Sequence, residues 1–234
     1  MIKKTIHYCW FGRNPKSTLI EKCIVSWKKY LPEYQIIEWN EDNFDINENQ
    51  YVKEAYEAKK WAFVSDYVRL WALREHGGIY LDTDVEVFRN FDAFLEHRFF
   101  TGFEKYGNAI SPITAVMGAE AKHPLLDHLL DEYQESRFIN PDGSHNTTTN
   151  TSTITKLLIK TYGVDAKNDS YQQLADDIHI YPSHYFCIEE EGKTTYSIHH
   201  FAASWRPYKK QLKARIRRSK RIPKKLGILL GKLL

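Results

Sequence analysis

The hydrophobic pattern of this chain changes period along its length. Residues 6–11 form a short apolar and aromatic run ending at Gly12, Asn14 and Pro15, which predicts a strand and then a loop. In residues 17–30, Leu19, Ile20, Cys23, Ile24 and Trp27 recur at helical spacing, with Ser17 placed to cap and Glu21 in the first turns. A helix is therefore predicted up to the stop at Pro32. Residues 34–39 alternate again. Strand, helix, strand is the order of a parallel α/β unit.

Residues 40–50 are rich in Asn, Asp and Glu and predict a loop. Residues 51–76 carry one long helical pattern that stops at Gly77-Gly78, a strong C-terminal signal. Residues 79–87 predict a strand whose apolar positions are interrupted by Asp82, Asp84 and Glu86. Short strands are expected within 98–118 and helices over 124–133 and 153–162. The polar stretch 140–152, with Asn146, Thr147, Thr148, Thr149 and Asn150, reads as a functional loop or a helix start. Two further strands are expected over 178–188 and 194–201. No repeat and no linker interrupts the pattern before residue 206.

Length changes this picture only by limiting it: 234 residues suffice for one substantial core and fall short of two full-sized domains. Charge adds more. Residues 209–234 hold eleven Lys/Arg and no acidic residue, which leaves 22 basic against 30 acidic residues, about −8, in residues 1–208. Cys9, Cys23 and Cys187 are too few and too scattered for a disulfide framework or a zinc site. With no apolar leader or spanning stretch in view, a cytoplasmic setting is the expectation. The aromatic share of 14% is a mild hint of rings that stack on bases or sugars.

The sharpest chemical signal is Gly77-Gly78-Ile79-Tyr80-Leu81-Asp82-Thr83-Asp84-Val85-Glu86. Carboxylates at alternate strand positions share a face. Their mutual repulsion and desolvation call for a neutralising partner. A hard divalent cation such as Mn²⁺ or Mg²⁺ fills that role and binds diphosphate oxygens at the same time. A solvated edge strand is the bland alternative, and the two preceding glycines and the long helix weaken it because they deliver the carboxylates to a strand end. On the preceding helix, Ala62, Ser65, Asp66, Arg69 and Leu73 share one face, and Phe63, Tyr67, Leu70 and Trp71 form an apolar stripe. Ser65, Asp66 and Arg69 could meet a polyol, although a surface ion pair alone is the blander reading. His199-His200 offers an imidazole to the carboxylates. Trp10, at the carboxyl end of the first strand, sits where α/β sheets bind ligands and could stack on a nucleobase.

In this order, four blocks resemble one family. They are Ile6-His7-Tyr8-Cys9-Trp10-Phe11-Gly12, Ala62-Phe63-Val64-Ser65-Asp66-Tyr67-Val68-Arg69, Gly77-Gly78-Ile79-Tyr80-Leu81-Asp82-Thr83-Asp84, and His199-His200-Phe201-Ala202-Ala203-Ser204-Trp205. Together they resemble the DXD-containing glycosyltransferases of family 32, and they are similar to the catalytic core of the large clostridial glucosylating toxins. The resemblance runs from about residue 2 to residue 205. It implies a GT-A fold, a mostly parallel Rossmann-like sheet flanked by helices, and a retaining transfer from a nucleotide-sugar, a UDP-sugar favoured.

Residue by residue, the resemblance implies that Trp10 stacks on the base and that Asp66 and Arg69 hold donor-sugar hydroxyls, with Ser65 close by. Asp82 reaches the ribose and the metal, and Asp84 ligates the metal directly. His200 is the choice for a further metal contact, with His199 as the alternative, and Ser204 and Trp205 lie against the diphosphate. The glycosyltransferase domain is expected over 1–205 and a basic amphipathic helical tail over 206–234.

In that tail Leu226, Leu229, Leu230 and Leu233 share a face among basic residues, which suits an anionic membrane surface. An inner-face peripheral enzyme of capsular or surface polysaccharide synthesis, acting on a lipid-linked or other glycan, follows as the expectation. Nucleic-acid binding is not expected, because the tail has almost no aromatics and the body is acidic. Three rivals are weighed: a toxin-like protein-glucosylating transferase, a haloacid-dehalogenase-like phosphatase with Asp82 as nucleophile, and a non-enzymatic cation-binding membrane adaptor. The phosphatase pattern tends to come early in its fold and to continue with Thr or Val where this chain has Glu86. The adaptor leaves Trp10, Asp66 and Arg69 unexplained.

Overall fold

A computed structural model describes residues 1–113 and 115–202. Ser204, Trp205 and the basic tail lie outside the described residues. The first unit forms as the pattern predicts. β1 (Thr5–Cys9) leads through α1 (Thr18–Tyr30) to β2 (Gln35–Trp39), which pairs with β1 in parallel. Ser17 caps α1 by accepting from the Ile20 amide.

The long helix expected over 51–76 is two helices, α2 (Gln50–Glu57) and α3 (Trp61–His76). Lys59 takes a left-handed backbone, φ 56°, between them. That break lets α3 turn inward, where Phe63, Val64, Tyr67, Val68, Leu70, Ala72 and Leu73 are all buried. A helix buried on so much of its surface places its few polar side chains deliberately, because each needs a partner.

α3 ends at Gly77, and the chain enters β3 (Gly78–Leu81). Gly77 and Gly78 have φ of 65° and 112°, and a Cβ on Gly78 would lie 2.7 Å from the Thr5 carbonyl oxygen. Only glycine fits there. His7 locks the same corner: its Nε2 donates to the Gly77 carbonyl at 2.8 Å, and its Nδ1 accepts from Trp39 Nε1 at 3.1 Å. Burial lowers its pKa to about 4 despite the bond to Gly77, so the ring is neutral.

The expected strand 79–87 is also two elements. β3 ends at Leu81, Asp82-Thr83-Asp84 forms a turn in which the Val85 amide donates to the Asp82 carbonyl, and β4 (Val85–Val87) pairs with β11 (Ser197–His199) instead of continuing the main sheet. α1 draws β4 away: Trp27 Nε1 donates to the Val85 carbonyl and Ser26 Oγ accepts from the Val87 amide.

The remaining elements are β5 (Phe99–Gly102), the hairpin of β6 (Glu104–Tyr106) and β7 (Ala109–Ser111), β8 (Val116–Ala119), α4 (Pro124–Gln134), α5 (Asn150–Tyr162), β9 (Gln172–Leu174), β10 (Ile178–Tyr181) and α6 (Ser183–Phe186). The strand expected over 178–188 thus ends at Tyr181, where Pro182 leads into α6. The main sheet runs β2-β1-β3-β8-β5-β10-β9. Five strands share one direction; β8 and β9 run against them. Apolar clusters cover both faces, one with α2, α3, α4 and α5 and the other with α1 and α6, as a doubly covered α/β sheet requires.

Candidate active site

The carboxyl end of β3 delivers Asp82, and the turn after it swings Asp84 round to β11. Ligand atoms of Asp82, Asp84 and His199 lie within 4.8 Å of one another. His199 Nε2 is 3.3 Å from Asp84 Oδ1, and its Nδ1 is 3.2 Å from Glu104 Oε2. Burial disfavours charge on this imidazole, but the bonds to Asp84 and Glu104 outweigh it and raise its pKa to about 10.

His200, expected beside the aspartates, takes a different place. Its Nε2 bonds Glu86 Oε2 at 2.8 Å, and Glu86 also pairs with Lys22. The two histidines are adjacent on an extended strand, so only one faces the aspartates, and that one is His199. The third carboxylate of the expected triplet leaves with it: past the turn, Glu86 faces Lys22 and not the Asp pair.

Arg69 ties α3 to the same strand end. Its Nη1 lies 3.0 Å from Asp82 Oδ1 and its Nη2 3.2 Å from Asp66 Oδ1. Its Nε donates to the Ser65 carbonyl at 3.0 Å, and the guanidinium lies 4.6 Å over the Tyr80 ring. Tyr80 in turn donates to Asp82 Oδ1 at 3.1 Å. Burial works against the Arg69 charge, yet Asp82, Tyr80 and Asp66 more than compensate and hold it firmly cationic. Asp66 is raised, with burial outweighing the attraction of Arg69. Ser65 Oγ donates to the Ala62 carbonyl.

The sequence reading gave Asn150 no specific role and missed Glu104. Asn150, the first residue of α5, gives its amide to Asp66 Oδ2 at 3.2 Å and its Nδ2 to the Asp66 carbonyl at 3.0 Å, and its buried Oδ1 has no partner among the described residues. The only signal for it was the polar 140–152 stretch. Glu104, on the β6 hairpin, carried no motif at all. Trp10 follows Cys9, whose buried thiol is raised to about 12 by burial and lies within electrostatic reach of Arg69, Asp82 and Asp66. The Trp10 ring lies in an open cleft with Lys16, Glu38 and Asn40, and its Nε1 donates to the Asn14 carbonyl at 2.7 Å.

Residues 17–101 match the family model described as glycosyltransferase sugar-binding region containing DXD motif. A protein of Acanthamoeba polyphaga mimivirus described as a glycosyltransferase is 26% identical over 225 residues, which cover 91% of this chain and 87% of the viral one. Two solved structures are similar at lower identity. One is the PaToxG glycosyltransferase, 19% identical, TM-score 0.49, covering 68% of this chain and 69% of its own. The other is a glycosyltransferase involved in glycosylation of the major capsid of PBCV-1, 11% identical, TM-score 0.48, covering 90% and 98%. The DXD of the matched region is Asp82-Thr83-Asp84, and the chain carrying it is a glycosyltransferase.

Proposed function

We propose that this enzyme is metal-dependent and retaining, and that it moves a hexose from a UDP-sugar to a glycan acceptor in capsular or surface polysaccharide synthesis. The observation that carries the reading is the convergence of Asp82, Asp84 and His199 beside the Arg69–Asp66 pair. Two carboxylates and one imidazole fit a divalent cation. The nitrogen donor favours Mn²⁺ over Mg²⁺, which prefers all-oxygen surroundings. Glu104 on the far nitrogen of His199 is the kind of partner that fixes a ligand ring. The bound ion would supply charge neutralisation at the leaving diphosphate.

The chain's own side chains divide the remaining work. Asp66 and the 150 end of α5 face the donor-sugar hydroxyls. Arg69 spends its donors inside the protein, on Asp66, Asp82 and the Ser65 carbonyl, so it acts chiefly as a positioning residue. Asp82 takes its protein bonds on Oδ1, which leaves Oδ2 for ion and ribose. Trp10 offers a face to the base, and the basic tail after residue 206 would bring the enzyme to an anionic inner membrane surface. In the transfer, the bond from anomeric carbon to diphosphate oxygen breaks while the acceptor oxygen bonds on the same face. The acceptor proton passes to the departing phosphate oxygen. The test is sugar release from a panel of nucleotide sugars with and without Mn²⁺. Mn²⁺-dependent turnover of one UDP-sugar, abolished by Asp84→Asn, is expected; turnover indifferent to Mn²⁺ and to the variant would refute the reading.

A further inference from the structure

A second group of metal-ligating side chains lies at the opposite end of the sheet. His97 precedes β5, Asp177 precedes β10, and His179 is the second residue of β10. Those strands are parallel, with Ile178 opposite Phe99. Asp82 and Asp84 follow the carboxyl end of β3, which runs the same way, so the two groups sit at opposite edges and share no residue. Ligand atoms of His97, Asp177 and His179 lie within 4.8 Å of one another. We propose that these three residues form a second cation site, for a divalent transition metal of the zinc class, that staples the amino-terminal ends of β5 and β10.

The imidazoles of His97 and His179 stack with centroids 3.7 Å apart and planes 19° apart, so one ring must turn for both in-plane lone pairs to meet one ion. Three features support a built site. His179 Nε2 is 2.8 Å from Asp177 Oδ1. Donors on a tetrahedral zinc ion stand about 3.3 Å apart, so the separations, all within 4.8 Å, suit an ion once one ring has turned. Each ring has a hydroxyl partner: Tyr171 lies 2.6 Å from His179 Nδ1, and Tyr181 lies 2.8 Å from His97 Nε2. Such partners orient ligand rings.

The backbone is also set in an unusual way. Asp176 and Asp177 both have left-handed φ, 57° and 55°, a conformation that non-glycine residues adopt at a cost. His123 Nε2, donating to the Asp176 carbonyl at 2.9 Å, and the Arg98 amide, donating to Asp177 Oδ2 at 2.9 Å, hold it there. The strained pair aims Asp177 at His179. His179 Nε2 and Asp177 Oδ1 would turn from each other to the shared ion, with Tyr171 still on His179 Nδ1.

The imidazole pair and single carboxylate select a zinc-class ion over Mg²⁺ or Ca²⁺. The test uses the whole chain and the ion alone: Co²⁺ binding followed by its visible bands, with Zn²⁺ competition, in wild type, His97→Asn, His179→Asn, Tyr171→Phe and Asp84→Asn, and in Asp84→Asn combined with each of the other three. The expected result is a Co²⁺ signal that Zn²⁺ displaces and that Asp84→Asn retains, and that in the Asp84→Asn background is lost with either His substitution and weakened about tenfold by Tyr171→Phe. His97 is half-exposed, so His97→Asn keeps the fold and its melting curve in chelator matches wild type. Absence of a signal in wild type overturns the proposal. So does a signal that survives both His substitutions and vanishes in Asp84→Asn, which would assign all binding to the other group.

Discussion

Arg69→Met removes the cation that bridges Asp66 and Asp82 while keeping most of the side-chain volume. Arg69 is 12% exposed, Asp66 15% and Asp82 25%. At an effective dielectric of about 20, a pair of charges about 4 Å apart gains about 4 kcal/mol before desolvation. Removing one partner of a buried pair costs about 3–5 kcal/mol, because the other charge stays behind. Here two carboxylates stay behind, so the upper part of that range applies at pH 7.

The pH dependence follows from sign. Asp66 already has a raised pKa in the fold, and loss of Arg69 raises it further. An acid raised above its unfolded value destabilises the fold once it ionises, so stability falls as pH climbs from about 3.8 through the folded value. The deficit of Arg69→Met relative to wild type should therefore shrink as pH falls from 7 towards 4. Urea unfolding across that range measures it. A deficit below about 1 kcal/mol at pH 7, or one that stays constant with pH, would refute the claim that Arg69 is the electrostatic keystone of the site.

Three further outcomes follow. His7 has a folded pKa of about 4 against 6.5 unfolded. The wild type should thus lose about 3 kcal/mol as pH falls from 6.5 to 4, and His7→Gln should flatten that stretch of the profile. Gly78→Ala must place a Cβ 2.7 Å from the Thr5 carbonyl at φ 112°. About 3 kcal/mol of stability should go, seen as a Tm lower by about 6–12 °C. Asn150→Ala keeps its amide bond to Asp66 Oδ2 but loses the Nδ2 bond to the Asp66 carbonyl. A cost of about 1–2 kcal/mol in stability, with weaker donor binding in calorimetry, is expected.

The sequence disclosed whatever local pattern controls. The β1-α1-β2 unit, the Gly77-Gly78 helix stop and the common helix face of Asp66 and Arg69 are matters of period and backbone freedom, and each is found as expected. Tertiary contacts decided the rest. Residues 51–76 keep helical period straight through Lys59, which carries no Gly or Pro signal; the break exists because α3 must turn inward to the sheet. Residues 79–87 alternate as one strand would, yet α1 captures the second half through Trp27 and Ser26. That capture turns Asp84 towards β11 and chooses His199 over its neighbour. Asn150 meets Asp66 across 84 residues, and Glu104 meets His199 across 95. His97 and His179 come together only because β5 and β10 pair. No spacing within a single element could reveal these contacts.

The most direct test of the central claim is a thermal-shift measurement of UDP-sugar binding with and without Mn²⁺, on wild type and on Asp84→Asn. A ligand present at about a hundred times its Kd stabilises the native state by about 2.7 kcal/mol, a Tm rise of about 5–11 °C for a chain of this size. The account predicts that rise for one UDP-sugar, only with Mn²⁺, and its loss in Asp84→Asn. An equal rise without Mn²⁺, or an undiminished one in the variant, would contradict it.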